Sequence, residues 1–465
     1  MKAFNIKPKS LFCGFFLLAT ISMQSACKKF VAIAPPVSAI ENSVVFANDG
    51  AAVSAALGVY ANMGLSNLYL ASGGSTLYPS LSADELVYTS TNTELLSFQN
   101  NSIIPNNGTG IFTRLWVPAY QNIYSANAVM EGINQSTSVT QSVKNQLEGE
   151  MLVVRALNYF YLVNLFGDVP LELSTDYQTN AVMARTPVAE IYNQLISDMQ
   201  VAKGLLLDTY PSELRARPNK WTATALLARL YLYKNDWQSA LDQSTEVLNS
   251  NQYILESDLD NVFLTTSKEV IWQLANDYHN TGEGSAFIPS SDTSRPSYAL
   301  NGNLLTAFDL DDQRKTKWLK KNTVGGQEYY YPSKYKNRSS TPITEYEVIL
   351  RLAEQYLIRA EARAHLNDIS GGLEDVNIVR LRATAGLSHA VAIDQLDLLI
   401  VISKERQTEL FCEWGNRFFD LKRTGKADDI LGVSKAPNWR STDALYPIPL
   451  GELEKNPFLI QNKGY

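Results

Sequence analysis

Residues 221–249, WTATALLARLYLYKNDWQSALDQSTEVLN, decide the fold. The segment reads as two helices joined at Asn235-Asp236, a pair of residues that favours turns and helix starts. Leu227, Ala228 and Tyr231 put a large, a small and an aromatic side chain on the first helix, and Trp237 and Ala240 put an aromatic and a small one on the second. In such a pair each helix buries one face on its partner, and the next pair covers the other face.

That order of residues is the order used by tetratricopeptide repeats. A second candidate pair spans Glu347–Leu366 and Gly371–Leu381, with Asn367-Asp368 at the turn and Gly372 where alanine is usual. Further helices are expected over Ala52–Met63 and over Met151–Phe166, the latter stopped by Gly167 with Pro170 behind it. Thr186 is placed to cap another helix, with Pro187 at its first position and Ile191, Leu195, Ile196, Met199 and Ala202 as its apolar stripe. Two stretches break the helical period. Residues 62–110 are rich in Ser, Thr, Asn and Gly, and residues 275–342 carry scattered Gly and Pro with several aromatics. The sequence therefore predicts a mainly α chain: a tetratricopeptide-like scaffold of helical pairs, interrupted by two long irregular insertions.

The first residues form a secretory leader, with Lys2, Lys7 and Lys9 before the apolar run Leu11–Ile21. That run is too short to cross a bilayer as a helix. Ser25-Ala26-Cys27 resembles a bacterial lipoprotein cleavage site, although Gln24 stands where Leu is usual. The expectation is removal of residues 1–26, a lipidated Cys27, a tether over 27–40 in which Pro35-Pro36 disfavours a helix, and a domain over 41–465. Simple signal cleavage is the alternative. The net charge of −7 argues against a nucleic-acid partner. Once Cys13 and Cys27 are set aside, Cys412 is left without a partner for a disulfide. His279, His365 and His389 lie far apart, so neither metal nor cofactor is expected.

Several landmarks, in order, resemble the SusD/RagB family of outer-membrane nutrient-binding lipoproteins across the whole mature chain. They include RALNYF at 155–160 with FGDVPL at 166–171, ALLARLYL at 225–232, and RLAEQYLIRAEA at 351–362. Glu405-Arg406 leading to Glu409-Leu410, EWGNRFFDLKR at 413–423, YPIP at 446–449, Asn456-Pro457 and QNKGY at 461–465 complete the set. The resemblance implies a surface lipoprotein that captures glycans or peptides and caps a SusC-type TonB-dependent transporter, without catalysis. It implies a ligand site in the loop-rich regions. Lys28-Lys29 follows the cysteine where family members often have acidic or polar residues, which leaves the face of the membrane open.

Sugar rings stack their C–H faces on aromatic side chains and need polar partners for their hydroxyls. Candidate ligand residues are therefore Tyr69, Tyr78 and Asp84 in the first insertion, and Tyr278, His279, Phe287 and Tyr298 in the second. Trp221, Trp237, Trp272 and Trp414 lie in periodic segments and are expected in the core, with Trp318 in the framework and a strand as one reading of Tyr329–Tyr331. Glu405, Glu409 and Glu413 repeat every four residues on one expected helix face. They are read as a scaffold device neutralised by Arg406, Arg417 and Arg423. A hydrolase would need converging acids or a nucleophile and base, and neither a Gly-x-Ser-x-Gly elbow nor a His-Glu-x-x-His helix occurs. A scaffold that binds only proteins is the other alternative.

Overall fold

In the computed structural model, which describes residues 42–105, 110–339, 341–383 and 386–465, helix makes up 55% and strand 7%. The leader, Cys27 and the tether lie outside the described residues. Asn42–Val45 is a single helical turn, and Phe46–Tyr465 forms one compact unit. That unit opens with α1 (Asp49–Gly64), whose N-terminus is capped by Asn48. The first insertion carries α2 (Ser75–Ser82), strand β1 (Leu86–Tyr88) and α3 (Thr93–Gln99). The scaffold follows as α4 (Val117–Gln135), α5 (Gln141–Phe166), α6 (Val188–Leu205), α7 (Lys220–Tyr233) and α8 (Trp237–Asn249).

Each of these scaffold helices packs on the next, from α4 through α8. The chain then leaves the scaffold for β2 (Val270–Leu274), α9 (Gly282–Phe287), β3 (Tyr298–Leu300), β4 (Leu319–Val324) and β5 (Gln327–Pro332). It returns through β6 (Glu347–Arg351) to α10 (Leu352–His365), α11 (Ile369–Ala383), α12 (Gln395–Glu409) and α13 (Asn416–Arg423). Helix α10 packs directly on α8 although the whole second insertion separates them in sequence. The stack is thus continuous in space and interrupted in the chain.

Both Asn-Asp turns work the same way. Asn235 and Asn367 adopt φ of 58° and 62°, the left-handed region that asparagine tolerates better than most residues. The aspartate after each then caps the next helix, Asp236 accepting from the Ser239 amide and Asp368 from the Gly371 amide. Between the pairs, Ala228, Leu232, Ala240, Ile358 and Ala362 form a fully buried seam, and Trp237 stacks flat on His365 at 3.7 Å. Gly372 permits close approach, because a Cβ there would lie 2.7 Å from Leu398 and 3.1 Å from the Ala360 carbonyl.

Three expectations are corrected. Thr186 does not cap α6. Its amide donates to the Val169 carbonyl in an isolated bridge, and Asp168 accepts from the Val188 amide in its place. Glu347–Arg351 is a strand rather than helix. Its Val-Ile-Leu run is buried along its length and pairs antiparallel with β2. The third concerns the polar run Leu70–Leu86, which is core rather than an open loop. Its hydroxyls are satisfied internally: Ser75 donates to the Leu70 carbonyl, Ser80 to Glu85, and Thr76 accepts from the Trp414 amide.

The acidic triad has a structural role through other partners than expected. Glu405 and Glu409 end α12, while Glu413 lies beyond it in a segment where Cys412, Trp414 and Gly415 all have positive φ. Arg351 reaches Glu269 at 2.9 Å, Glu409 at 2.6 Å and Glu413 at 2.8 Å. Arg314 reaches Asp312 at 2.7 Å, Glu405 at 2.6 Å and Glu409 at 2.9 Å. Arg382 bridges Glu269 and Glu409, and Lys334 pairs with Glu413. Arg406 binds Asp420 instead, Arg417 binds Asp84, and Arg423 joins Asp420 to Glu361. The surrounding arginines hold Glu409 well below the usual carboxylate range, while burial draws Lys334 down to about 8.

Of the four tryptophans expected in the core, Trp221, Trp272 and Trp414 are buried while Trp237 is only partly so; Trp318, expected in the framework, is wholly buried. Removing one charge from the buried network strands its partners, a change that costs about 3–5 kcal/mol. Arg351→Met is therefore expected to lower the stability measured by denaturant titration by that amount. Lys426→Met, which breaks an exposed pair with Asp429, is expected to leave the midpoint unchanged.

Candidate functional site

The two insertions meet. Strand β1 of the first pairs antiparallel with β3 of the second, in the register Leu86↔Leu300, Val87↔Ala299 and Tyr88↔Tyr298. Side chains directly opposite on a sheet face each other, and the Tyr88 and Tyr298 rings lie 5.4 Å apart. Phe287 packs edge-on to Tyr298 with ring centroids 5.8 Å apart. Thr89 extends the junction by donating its amide to the Ser297 carbonyl at 2.9 Å.

A second contact fixes the same junction. The turn Leu70–Gly74 needs Gly73 at φ 99°. Helix α9 presses on this turn so closely that a Cβ on Gly282 would fall 2.2 Å from the Ser72 carbonyl oxygen. Immediately before the turn, half-exposed Tyr69 offers its ring to Arg114, whose guanidinium lies 5.5 Å from the ring centroid. Arg114 comes from the helical turn Gly110–Trp116 and donates to the Asn67 carbonyl at 2.8 Å. Burial raises the Tyr298 hydroxyl, the facing Tyr88 adds to the rise, and the Arg114 charge opposes it.

The second edge is the loop after β2. Tyr278 is 73% exposed, and no aromatic ring or cation among the described residues packs on its ring. Beneath it, His279 has both nitrogens engaged: Nδ1 lies 2.5 Å from the Asn280 carbonyl and Nε2 lies 2.9 Å from the Asn276 amide. The same Asn276 amide donates to the Gly64 carbonyl at the end of α1. His279 is thereby a strut that holds the Tyr278 loop. It lines a narrow polar cleft with Gly64, Ser72, Asn280 and Glu347. Glu347 and its neighbour Glu283 are buried below this cleft, and burial together with the Glu283 charge pushes Glu347 well above the usual carboxylate range.

Of the residues expected to bind, Tyr69, Tyr278 and His279 lie at this junction with some surface to offer. The others are corrected. Asp84 is 2% exposed and its carboxylate is held by Arg417 through two 2.8 Å hydrogen bonds. Tyr78 is buried against Phe98 with ring centroids 4.6 Å apart. Phe287 and Tyr298 are buried beneath the junction and serve as its floor. Tyr88 and Arg114 were not legible as site residues. Tyr88 acquires its role only through pairing with β3, and Arg114 lies just outside the polar stretch that marked the first insertion.

Three surfaces result: tyrosine faces, a guanidinium with donors to spare, and amide-rich loop edges. Such a set stacks on flat apolar faces and hydrogen-bonds hydroxyl or anionic groups around them.

Entry into β1 is held by Glu85, which accepts from the Cys412 amide at 2.9 Å and from Ser80 at 2.7 Å. Burial pushes this carboxyl up to about 7. A carboxyl whose pKa is raised by folding binds its proton more tightly in the folded state. Its contribution is full below the unfolded value near 4.5 and is lost as pH rises to about 7. Glu85→Gln is expected to flatten this fall, gaining on the order of 3 kcal/mol relative to the parent between pH 4 and pH 8. Parallel pH profiles of the two chains would refute the assignment.

Comparison with known proteins supplies relatives for this geometry. A family described as "Starch-binding associating with outer membrane" matches residues 58–232, and one described as "SusD family" matches residues 308–465. The SusD-like protein P2 of Formosa agariphila is 29% identical over 427 residues, covering 78% of this chain and 83% of that protein. A SusD superfamily protein of Bacteroides vulgatus has a TM-score of 0.81 at 19% identity, covering 90% of this chain and all of that one. A structure described as a laminarin-binding SusD-like protein has a TM-score of 0.76 at 23% identity, with 90% of this chain and all of that one covered.

Proposed function

The chain belongs to the SusD/RagB family, and from that premise we propose that it is a lipid-anchored outer-membrane protein that binds an oligosaccharide at the junction of its insertions and passes it to a SusC-type TonB-dependent transporter, without catalysis. The observation that carries this reading is the Tyr69–Arg114 pair beside the turn Leu70–Gly74, whose Ser72 shares a cleft with His279 next to the exposed Tyr278. Laminarin binding by a structural neighbour supports carbohydrate as the ligand class. Sugar–aromatic stacking resembles other ring contacts in magnitude, about 0.5–1.5 kcal/mol per face. Two or three faces and a few hydrogen bonds then give capture that is reversible, as delivery to a transporter requires.

Lipidation at Cys27 gives the binding domain a reason to stay at the membrane. Each buried methylene of an acyl chain contributes about 0.8 kcal/mol, so several chains hold a soluble domain on the bilayer. Tethering then converts each hand-over into a local event at high effective concentration. Surface display is the orientation in which the domain meets its ligand before the transporter does.

The proposal is tested by calorimetry and product analysis on the purified chain with a panel of oligosaccharides and peptides. Binding of a glycan without product formation is expected. Tyr69→Ala and Tyr278→Ala are each expected to weaken it about tenfold at unchanged melting temperature. Unchanged affinity in both variants would move the site elsewhere. Product formation would favour a hydrolase, and binding of peptides alone would replace the glycan.

A further inference from the structure

The arginines of this chain divide into two kinds. Most meet carboxylates, as Arg155 meets Asp198, Arg229 meets Glu354 and Arg359 meets Asp375. Arg185 and Arg215 lack a carboxylate, but each donates to several backbone carbonyls and is used up as a strut. Arg114 fits neither kind. It spends one nitrogen on the Asn67 carbonyl and leans on the Tyr69 ring, and no carboxylate of the described residues forms an ion pair with it. Residues 106–109, just upstream, are Asn-Asn-Gly-Thr and carry no acid.

A half-buried guanidinium with no ion pair among the described residues stands out in a chain of net charge −7, although Glu94, which acts with Arg114 on the Tyr78 hydroxyl, shares its surroundings without pairing with it. The position of Arg114 matters more. It lies against a half-exposed tyrosine, and its charge acts on the Tyr298 hydroxyl of the β1–β3 junction. Arg295, exposed on the loop leading into β3, is another cation without an ion pair among the described residues, though exposed Asp292 on the same loop offsets it. A guanidinium fork matches the two oxygens of a carboxylate or sulfate, and that pairing is stronger than a hydrogen bond to a neutral hydroxyl.

We infer that the site takes an acidic oligosaccharide, with a uronate carboxylate or a sulfate ester seated on Arg114 and the neighbouring sugar ring on Tyr69. This rests on the carbohydrate reading above and adds the charge of the ligand to it. The shared chemistry is a planar or tetrahedral oxyanion on a pyranose, and matched pairs of probes separate its two sources.

The test measures affinity for oligogalacturonate against its methyl ester, and for a sulfated oligosaccharide against its desulfated form, with laminarin oligosaccharides as the neutral reference. At least one acidic probe is expected to bind ten times more tightly than its neutral twin, with the advantage shrinking as salt is raised. Arg114→Gln is expected to abolish the difference, and Arg114→Lys to restore part of it. Equal or tighter binding of the neutral twins, or a difference that survives Arg114→Gln, would overturn the charge assignment and leave the carbohydrate reading standing. Absence of binding by every probe would overturn both.

Discussion

Glu409 is the point on which the rest of the molecule is hung. A carboxylate buried at the end of α12 would be untenable alone, yet here it accepts from Arg314, Arg351 and Arg382 together. Those three arginines come from the second insertion, from β6 and from α11, so one charge ties three separate parts of the chain. Asp312, Glu405, Glu413, Glu269 and Lys334 complete the balance around it. The second insertion buries Phe308 and Trp318 against Phe411, but apolar contact alone is non-directional and does not fix its position. Ion pairs with fixed geometry give it a single seat, because a displaced insertion would leave charges unpaired in a dry interior.

Once the second insertion is seated, the first can be built on it. The β1–β3 pairing and the close approach of Gly282 to Ser72 join the insertions at two points. Asp84 and Glu85 then anchor the first insertion to the segment around Cys412 and Arg417, just beyond the ion-pair network. Tyr69, Tyr88 and Arg114 are thus held by a rigid frame although they stand on turns and short strands. Binding residues on pre-set loops lose little freedom when a ligand arrives, which favours capture of a flexible polymer.

The helical scaffold was legible because its signals are local. Asn235-Asp236 and Asn367-Asp368 each specify a turn and a cap within a few residues, and the apolar period does the rest. Tyr329–Tyr331 lie in a strand, one of the possibilities their sequence left open. The insertions were not legible in the same way. Whether Ser72, Ser80 or Asp84 faces water depends on a partner more than 300 residues away in sequence for Asp84, and on the Trp414 segment for α2. Polar composition therefore suggested an open loop where the structure has satisfied hydrogen bonds in the core. The partners of Glu405, Glu409 and Glu413 escape the sequence for the same reason: Arg406, Arg417 and Arg423 are near in the chain, whereas Arg314 and Arg351 arrive from elsewhere in it.

The central claim is that two insertions distant in sequence form one binding face. Hydrogen exchange of the chain with and without a bound oligosaccharide tests it most directly. Added protection is expected together at residues 67–69, 86–89, 112–116 and 276–280, with the α8–α10 seam unchanged. Protection confined to the scaffold helices, or to one insertion alone, would contradict the account.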